Sequence, residues 1–350
     1  VKVLGKGSVV GFAAAAAIAV CAVVVPAADA AQLSNDAKSA IPKDVQQLIV
    51  VDYRAMQNSS AAMNLKDRVL PPELKRLETA LKSSGLKVDQ DADVLCFAAF
   101  RTGPSADTAR ILGIAQGQFQ TRAILAKFYT DADKTDKDKD ANAKDTKDKD
   151  AKDKEKGKTK ARLVRGRVVF PMGANGFDVA FLNQTTMIFG DKKSVDTALD
   201  AYDGLTQNFL ANGDMVNEMS AVDSKAVWSL LDAKGTQTMM KSVLGEASSL
   251  TDYDTVRERM KISRYTMDFS NGVKFDMAVV MSDTLTGATA ATLMKGVALL
   301  RKTQGSPLEK QALDETTIDS SAGTLTVSYS STDSQFSSLL GSSLFQSVVK

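Results

Sequence analysis

SRYTMDFSNGVKFDMAVVMS, residues 263–282, reads as two strands meeting at Ser270-Asn271-Gly272. Both runs have strand length and composition, and an Asn-Gly pair suits the tight primed turn that joins antiparallel neighbours. The chain is helical on both sides of this hairpin: TQTMMKSVLG (236–245) and YDTVRERM (253–260) precede it, and the long amphipathic ATAATLMKGVALLRK (288–302) follows. KAVWSLLD (225–232) opens the set as a strand. GTLTVSYS (323–330) and the helical SQFSSLLGSSLFQSVV (334–349) close it.

The preceding half of the chain runs in the same order with different residues. VQQLIVVDY (45–53) is a strand, and a helix within residues 68–85 opens at Pro71 and Pro72 and closes at Gly85. DVLCFAAFR and ARILGIAQGQF form a hairpin around TGPSADT, and QTRAILAKFY is helical, with Ile124, Leu125 and Phe128 at helical spacing. RGRVVFPM, GFDVAFL and TTMIF are strands. Gly190 and Asp191 then turn the chain into the helix KKSVDTALDAY, with Asp191 as N-cap and Val195 and Leu199 on the face that packs on the sheet. The expected fold is α+β in two similar halves. Each half is an antiparallel sheet with helices on one face, a split βαβ unit that is ferredoxin-like in element order.

Between the helix and strands of the first half lies DADKTDKDKDANAKDTKDKDAKDKEKGKTK, residues 131–160, with ten acidic residues, eleven lysines and only four alanines as apolar side chains. Such a run cannot bury enough surface to offset the entropy of ordering it, so a disordered insertion is expected. Lengthening a loop from four to about thirty-two residues costs only ~2 kcal/mol in closure entropy. Asp136, Asp138 and Asp140 imitate the start of a calcium loop, but Ala141 and Lys147 stand where glycine and glutamate belong. A charged tether is the other reading, and its near-zero net charge argues against strong attraction to either sign.

The 350 residues, 44% apolar and 25% charged, have room for two medium domains. Forty-four basic against 42 acidic residues leave no electrostatic footprint for nucleic acid. Histidine is absent, which removes the usual general base at neutral pH, every Ser-His or Cys-His arrangement and the commonest zinc ligand. At the N-terminus, Lys2 and Lys6 flank an apolar stretch that ends near Ala28-Asp29-Ala30, the pattern of an export signal cleaved before Ala31. An uncleaved anchor is the rival reading. LGKGSVVG in this stretch lacks the strand and glycine spacing of a phosphate loop. The boundaries that follow are a signal peptide at 1–30, a linker at 31–43, a first domain at 44–204 containing the insertion, a connector at 205–223 and a second domain at 224–350.

IPKDVQQLIVVDY, LPPELKRLE, FLNQTTMIFGDKKSVDTALDA, AVWSLLDAKGTQTMMKSVLGEA and SRYTMDFSNGVKFDMAVVMSD resemble a family of uncharacterised exported bacterial α+β proteins, over all but the Lys/Asp run. The resemblance implies export and an α+β fold and brings no catalytic residues.

Other candidates read as structural. Cys96, in an apolar strand-length run without a cationic neighbour, is a core thiol, and Trp228 is a core residue of a central strand. Asp89, Asp91 and Asp93 are turn acids, since Val94 and Phe100 occupy the positions a calcium loop needs. Ser84 with Lys87 and Ser347 with Lys350 have a serine-lysine spacing without its companion motifs. Arg165 and Arg167 alternate onto one strand face, as a basic stripe or as partners of insertion carboxylates. No catalytic, cofactor or metal residue is assigned. The expected function is a non-catalytic binding or accessory protein of the envelope, with a protein or small-ligand partner, no nucleic acid and no stable membrane insertion after signal cleavage. The alternative is a histidine-free hydrolase using carboxylates, a serine-lysine pair or a metal.

Overall fold

A computed structural model describes residues 31–57, 59–69, 75, 78, 79, 82, 87–101, 109–122, 161–172, 177–244 and 253–342. The export signal, the Lys/Asp run, most of the helices expected after Pro71 and over 123–129, Ser84 and the Ser347–Lys350 pair lie outside those residues.

Twelve strands are described: β1 Val45–Asp52, β2 Ala92–Arg101, β3 Ala109–Gly117, β4 Arg162–Val164, β5 Arg167–Met172, β6 Phe177–Phe181, β7 Thr186–Asp191, β8 Val227–Leu231, β9 Met260–Asp268, β10 Val273–Met281, β11 Thr316–Ser321 and β12 Thr324–Ser331. The helices are α1 Asn35–Ala40, α2 Tyr53–Met56, α3 Ser60–Val69, α4 Val88–Asp91, α5 Lys192–Tyr202 and α6 Gly213–Met219. They continue with α7 Ala233–Leu244, α8 Tyr253–Glu258, α9 Thr284–Gln304, α10 Pro307–Asp314 and α11 Asp333–Leu339.

All twelve strands join one sheet in the order β11-β12-β10-β9-β8-β1-β2-β3-β7-β6-β5-β4, each neighbour antiparallel. This departs from the expected pair of sheets. β1 and β8, the expected opening strands of two separate sheets, pair with each other from Gln47 opposite Leu231 to Val51 opposite Val227. Both are buried along nearly their whole length, so each needs neighbours on both sides and cover on both faces. A split βαβ unit places another strand between the two it joins. Here β1 lies directly against β2, and β8 against β9.

Helices cover both faces rather than one, and the alternation along β1 shows why. Ile49 and Val51 point into one apolar layer, closed by α2, α3, α7, α8, α9 and α11, which also takes in Phe97, Phe189, Met277 and Leu325. Leu48 and Val50 point into the other, closed by α1, α5, α6 and the turn at Phe209, with Cys96, Ile188 and Trp228. Trp228 is fully buried, and its indole N–H donates to the Ala31 carbonyl at 2.9 Å. Asp191 caps α5 by accepting from the Lys193 and Ser194 amides, and Val195 and Leu199 are buried beneath it. Beyond β9 the second face carries Lys274, Asp276, Thr326 and Asp319, all exposed, as an antiparallel sheet with one solvated side does.

The hairpin of β9 and β10 is real, but its turn is not the tight primed one. Phe269 is drawn into the core, with its ring edge-on to Phe336 at 6.1 Å, so the last registered pair is Asp268 with Lys274. Primed turns occur instead at Ala322-Gly323, joining β11 to β12, and at Arg165-Gly166, joining β4 to β5; both residues of each have positive φ.

Candidate binding site

Two concavities among the described residues bring polar or charged groups together. The first is a cleft of about 320 Å³ where β1 begins, β2 ends and α6 and α7 start, lined by Lys43, Asp44, Arg101, Asn212, Asp214 and Asp232. Its central carboxylate is already engaged. Asp232 Oδ2 accepts from Arg101 at 2.6 Å, while Oδ1 accepts from the Gly235 amide at 2.7 Å in the first turn of α7. Asn212 is equally occupied, accepting from the Met215 amide to cap α6 and donating to the Lys43 carbonyl. These contacts tie the two central strands to their helices, which is a structural use of charge.

The second concavity, about 170 Å³, lies at the β11 end of the sheet between α7, α9 and α10. Val243, Met294, Val297, Leu313, Ile318 and Val327 make it apolar, and Ser242, Thr316 and Arg301 are the polar lining. The chain builds it because α9 places Met294, Val297 and Arg301 at helical spacing on the side facing the sheet, while Ile318 and Val327 are cross-strand partners on that same face.

The sequence candidates fall elsewhere. Cys96 is completely buried, and burial pushes its thiol well above its ordinary range, the opposite of what a nucleophile needs. Asp93 pairs with Arg54, and Asp91 accepts from the Lys87 amide at 2.8 Å, closing the α4 turn. Arg165 sits in the turn at φ +50° rather than on a strand, so no basic stripe forms. Arg165 pairs with Asp200 of α5 and Arg167 with Asp203 just past its end, at 2.6 and 3.0 Å, while the insertion carboxylates lie outside the described residues. Arg162 bridges Asp178 and Asp196, at 2.7 and 2.5 Å. Burial alone would lower its pKa, but the hydrogen bonds to these two carboxylates outweigh burial and raise it. Among the described residues, no three His, Cys, Asp or Glu side chains converge as a metal site would require.

The apolar concavity escaped sequence reading because its lining comes from five elements. The one available signal was Arg301, a cation on the inward stripe of an amphipathic helix.

No protein-family model matches the chain, and no curated protein matches it. Two solved structures of TP0453, a Treponema protein, are similar to it. Crystal form I shares 8% identity at a TM-score of 0.48, covering 89% of this chain and 97% of that one. Crystal form III shares 9% at a TM-score of 0.45, covering 90% and 99%.

Proposed function

We propose that this chain is a non-catalytic binding or accessory protein exported to the bacterial envelope, built from two related halves, and that the β11 end of its sheet is the binding region. The observation that carries the reading is the open edge. Among the described strands β11 pairs with β12 alone. The primed turn at Ala322-Gly323 makes Ser321 and Thr324 a hydrogen-bonded pair, so by alternation Asp319 and Thr317 also face β12 while Thr316, Ile318 and Ser320 direct their backbone groups outward. An outward row of this kind accepts a partner's extended segment. Asp319 guards it, its carboxylate accepting from the Ser320 amide at 2.8 Å. Export rests on the N-terminal pattern of Lys2, Lys6 and the apolar run. Among the described residues, no helix is long and apolar enough to cross a membrane.

Ser320→Pro tests the proposal, since it removes an outward amide and leaves the β12 ladder intact. Capture from the native envelope followed by mass spectrometry should recover a reproducible partner with the wild type and lose it with the variant. Equal recovery with both would refute the edge reading. Turnover abolished by a single carboxylate substitution would refute the non-catalytic one.

A further inference from the structure

Among the arginines whose side chains are described, Arg301 stands apart. Nine of them, from Arg54 to Arg264, hold an aspartate or glutamate. Arg301 has no ion pair or side-chain hydrogen bond among the described residues; Arg122 shares that lack, but it is exposed and lines neither concavity. Arg301 is half-buried and, among the described residues, is the one charged residue lining the apolar cavity. Its neighbour Lys302 is already held by Asp314 of α10, so that carboxylate is taken. A half-buried guanidinium, with five donors and an apolar wall beside it, is a built half of a charge-assisted pair.

The size of the cavity states what the other half carries. A cavity of roughly 150 Å³ lined by apolar side chains takes up a benzene ring. The space here, about 170 Å³, therefore admits a ring or a chain of about six carbons. Charge complementarity to Arg301 requires an anionic head, and the planar guanidinium fork favours a carboxylate. We infer that the cavity between α7, α9, α10 and the β11–β12 strands binds a small free carboxylate with a short apolar tail, seated against Met294, Val297, Ile318 and Val327 and paired through its head with Arg301. This rests on the reading of the β11 end as a binding region and names a ligand class for it.

The probes are hexanoate, its neutral isostere hexanamide, and the long-chain hexadecanoate, titrated into the full chain by calorimetry and followed by amide NMR shifts. Hexanoate should bind saturably and shift β11 and α9 amides. Hexanamide should bind about ten-fold more weakly or worse, since one charge-assisted pair is lost. Arg301→Gln should weaken hexanoate by a similar factor and leave hexanamide unchanged, with an unaltered thermal midpoint as the folding control. Ala298→Trp, which fills the cavity from its half-exposed wall, should abolish binding of both.

Equal affinity for hexanoate and hexanamide, or an Arg301→Gln variant that binds like the wild type, would overturn the assignment of a carboxylate. Absence of saturable hexanoate binding would overturn the site, and tighter binding of hexadecanoate would replace the short ligand with a long one. Ser320→Pro is included in the titration. Partner capture unchanged by Ser320→Pro, with hexanoate binding intact, is a failure of the edge reading alone; capture lost with Ser320→Pro, and no saturable hexanoate binding by the wild type, is a failure of this one alone.

Discussion

Two neighbouring residues in one turn should respond to substitution with opposite signs. Ala322 and Gly323 have φ of +48° and +78°, and they fix which β11 amides face outward. For an L-residue the left-handed region costs roughly 1–2 kcal/mol, and asparagine tolerates it better than alanine. Ala322 is exposed, so its methyl contributes little packing. Ala322→Asn should therefore stabilise by about 1 kcal/mol, and Ala322→Gly by less, because glycine also loses more entropy on folding. Gly323→Ala goes the other way. It forces alanine to a positive φ and brings a Cβ within 3.3 Å of the Asp283 carbonyl, where α9 begins. Backbone conformation and contact together should cost about 2–3 kcal/mol. Urea midpoints at constant slope measure both, and exchange protection of the β11 amides shows whether the effect is local. Equal destabilisation by Ala322→Asn and Gly323→Ala would refute the primed turn, and with it the assignment of the outward row.

Further outcomes follow from the charge network and the insertion. Arg162→Met strands the buried Asp178 carboxylate near the start of β6, and since Arg162 is itself a quarter exposed the cost should be about 2–3 kcal/mol in denaturant titration, partly recovered by adding Asp178→Asn. The Asp283 carboxyl accepts from the Thr286 amide and hydroxyl, from Ser282 and from Arg259, and is held far below its ordinary value. Its contribution is thus complete above the unfolded carboxyl value of about 3.9 and is lost as pH falls through the depressed one. Relative to Asp283→Asn, the wild type should lose its advantage on acidification below about pH 4, and an unchanged difference would contradict the cap. Replacing residues 131–160 by a short Gly-Ser linker should leave the thermal midpoint and circular dichroism as they are.

Local chemistry was legible in the sequence where the cause itself is local. Asp191 as the α5 cap, the buried Val195 and Leu199, and the strand character of VWSLL and VQQLIVVD depend on residues a few positions apart, so propensity and spacing suffice. The burial of Cys96 and Trp228 follows from apolar runs too long to have a solvated side. The tight turn expected at Asn271-Gly272 fails because one residue, Phe269, gains more from the core than the turn loses, and a local motif cannot register that competition.

What only the tertiary structure decided is how the pieces meet. Nothing in the local sequence of β1 or β8 says that the two will pair and join all twelve strands into one sheet, because register between strands some 180 residues apart is chosen by the burial both gain at once. The cover on both faces follows from that choice. The apolar cavity does too, since Val243, Val297, Leu313, Ile318 and Val327 are scattered over five elements and become neighbours only when α9 lies across β11 and β12. Arg301 is the clearest case. As a letter it is a cation near the end of a helix, where the helix dipole alone would justify it; its lack of a partner among the described residues and its apolar surroundings exist only in three dimensions, because they are properties of what the fold places beside it.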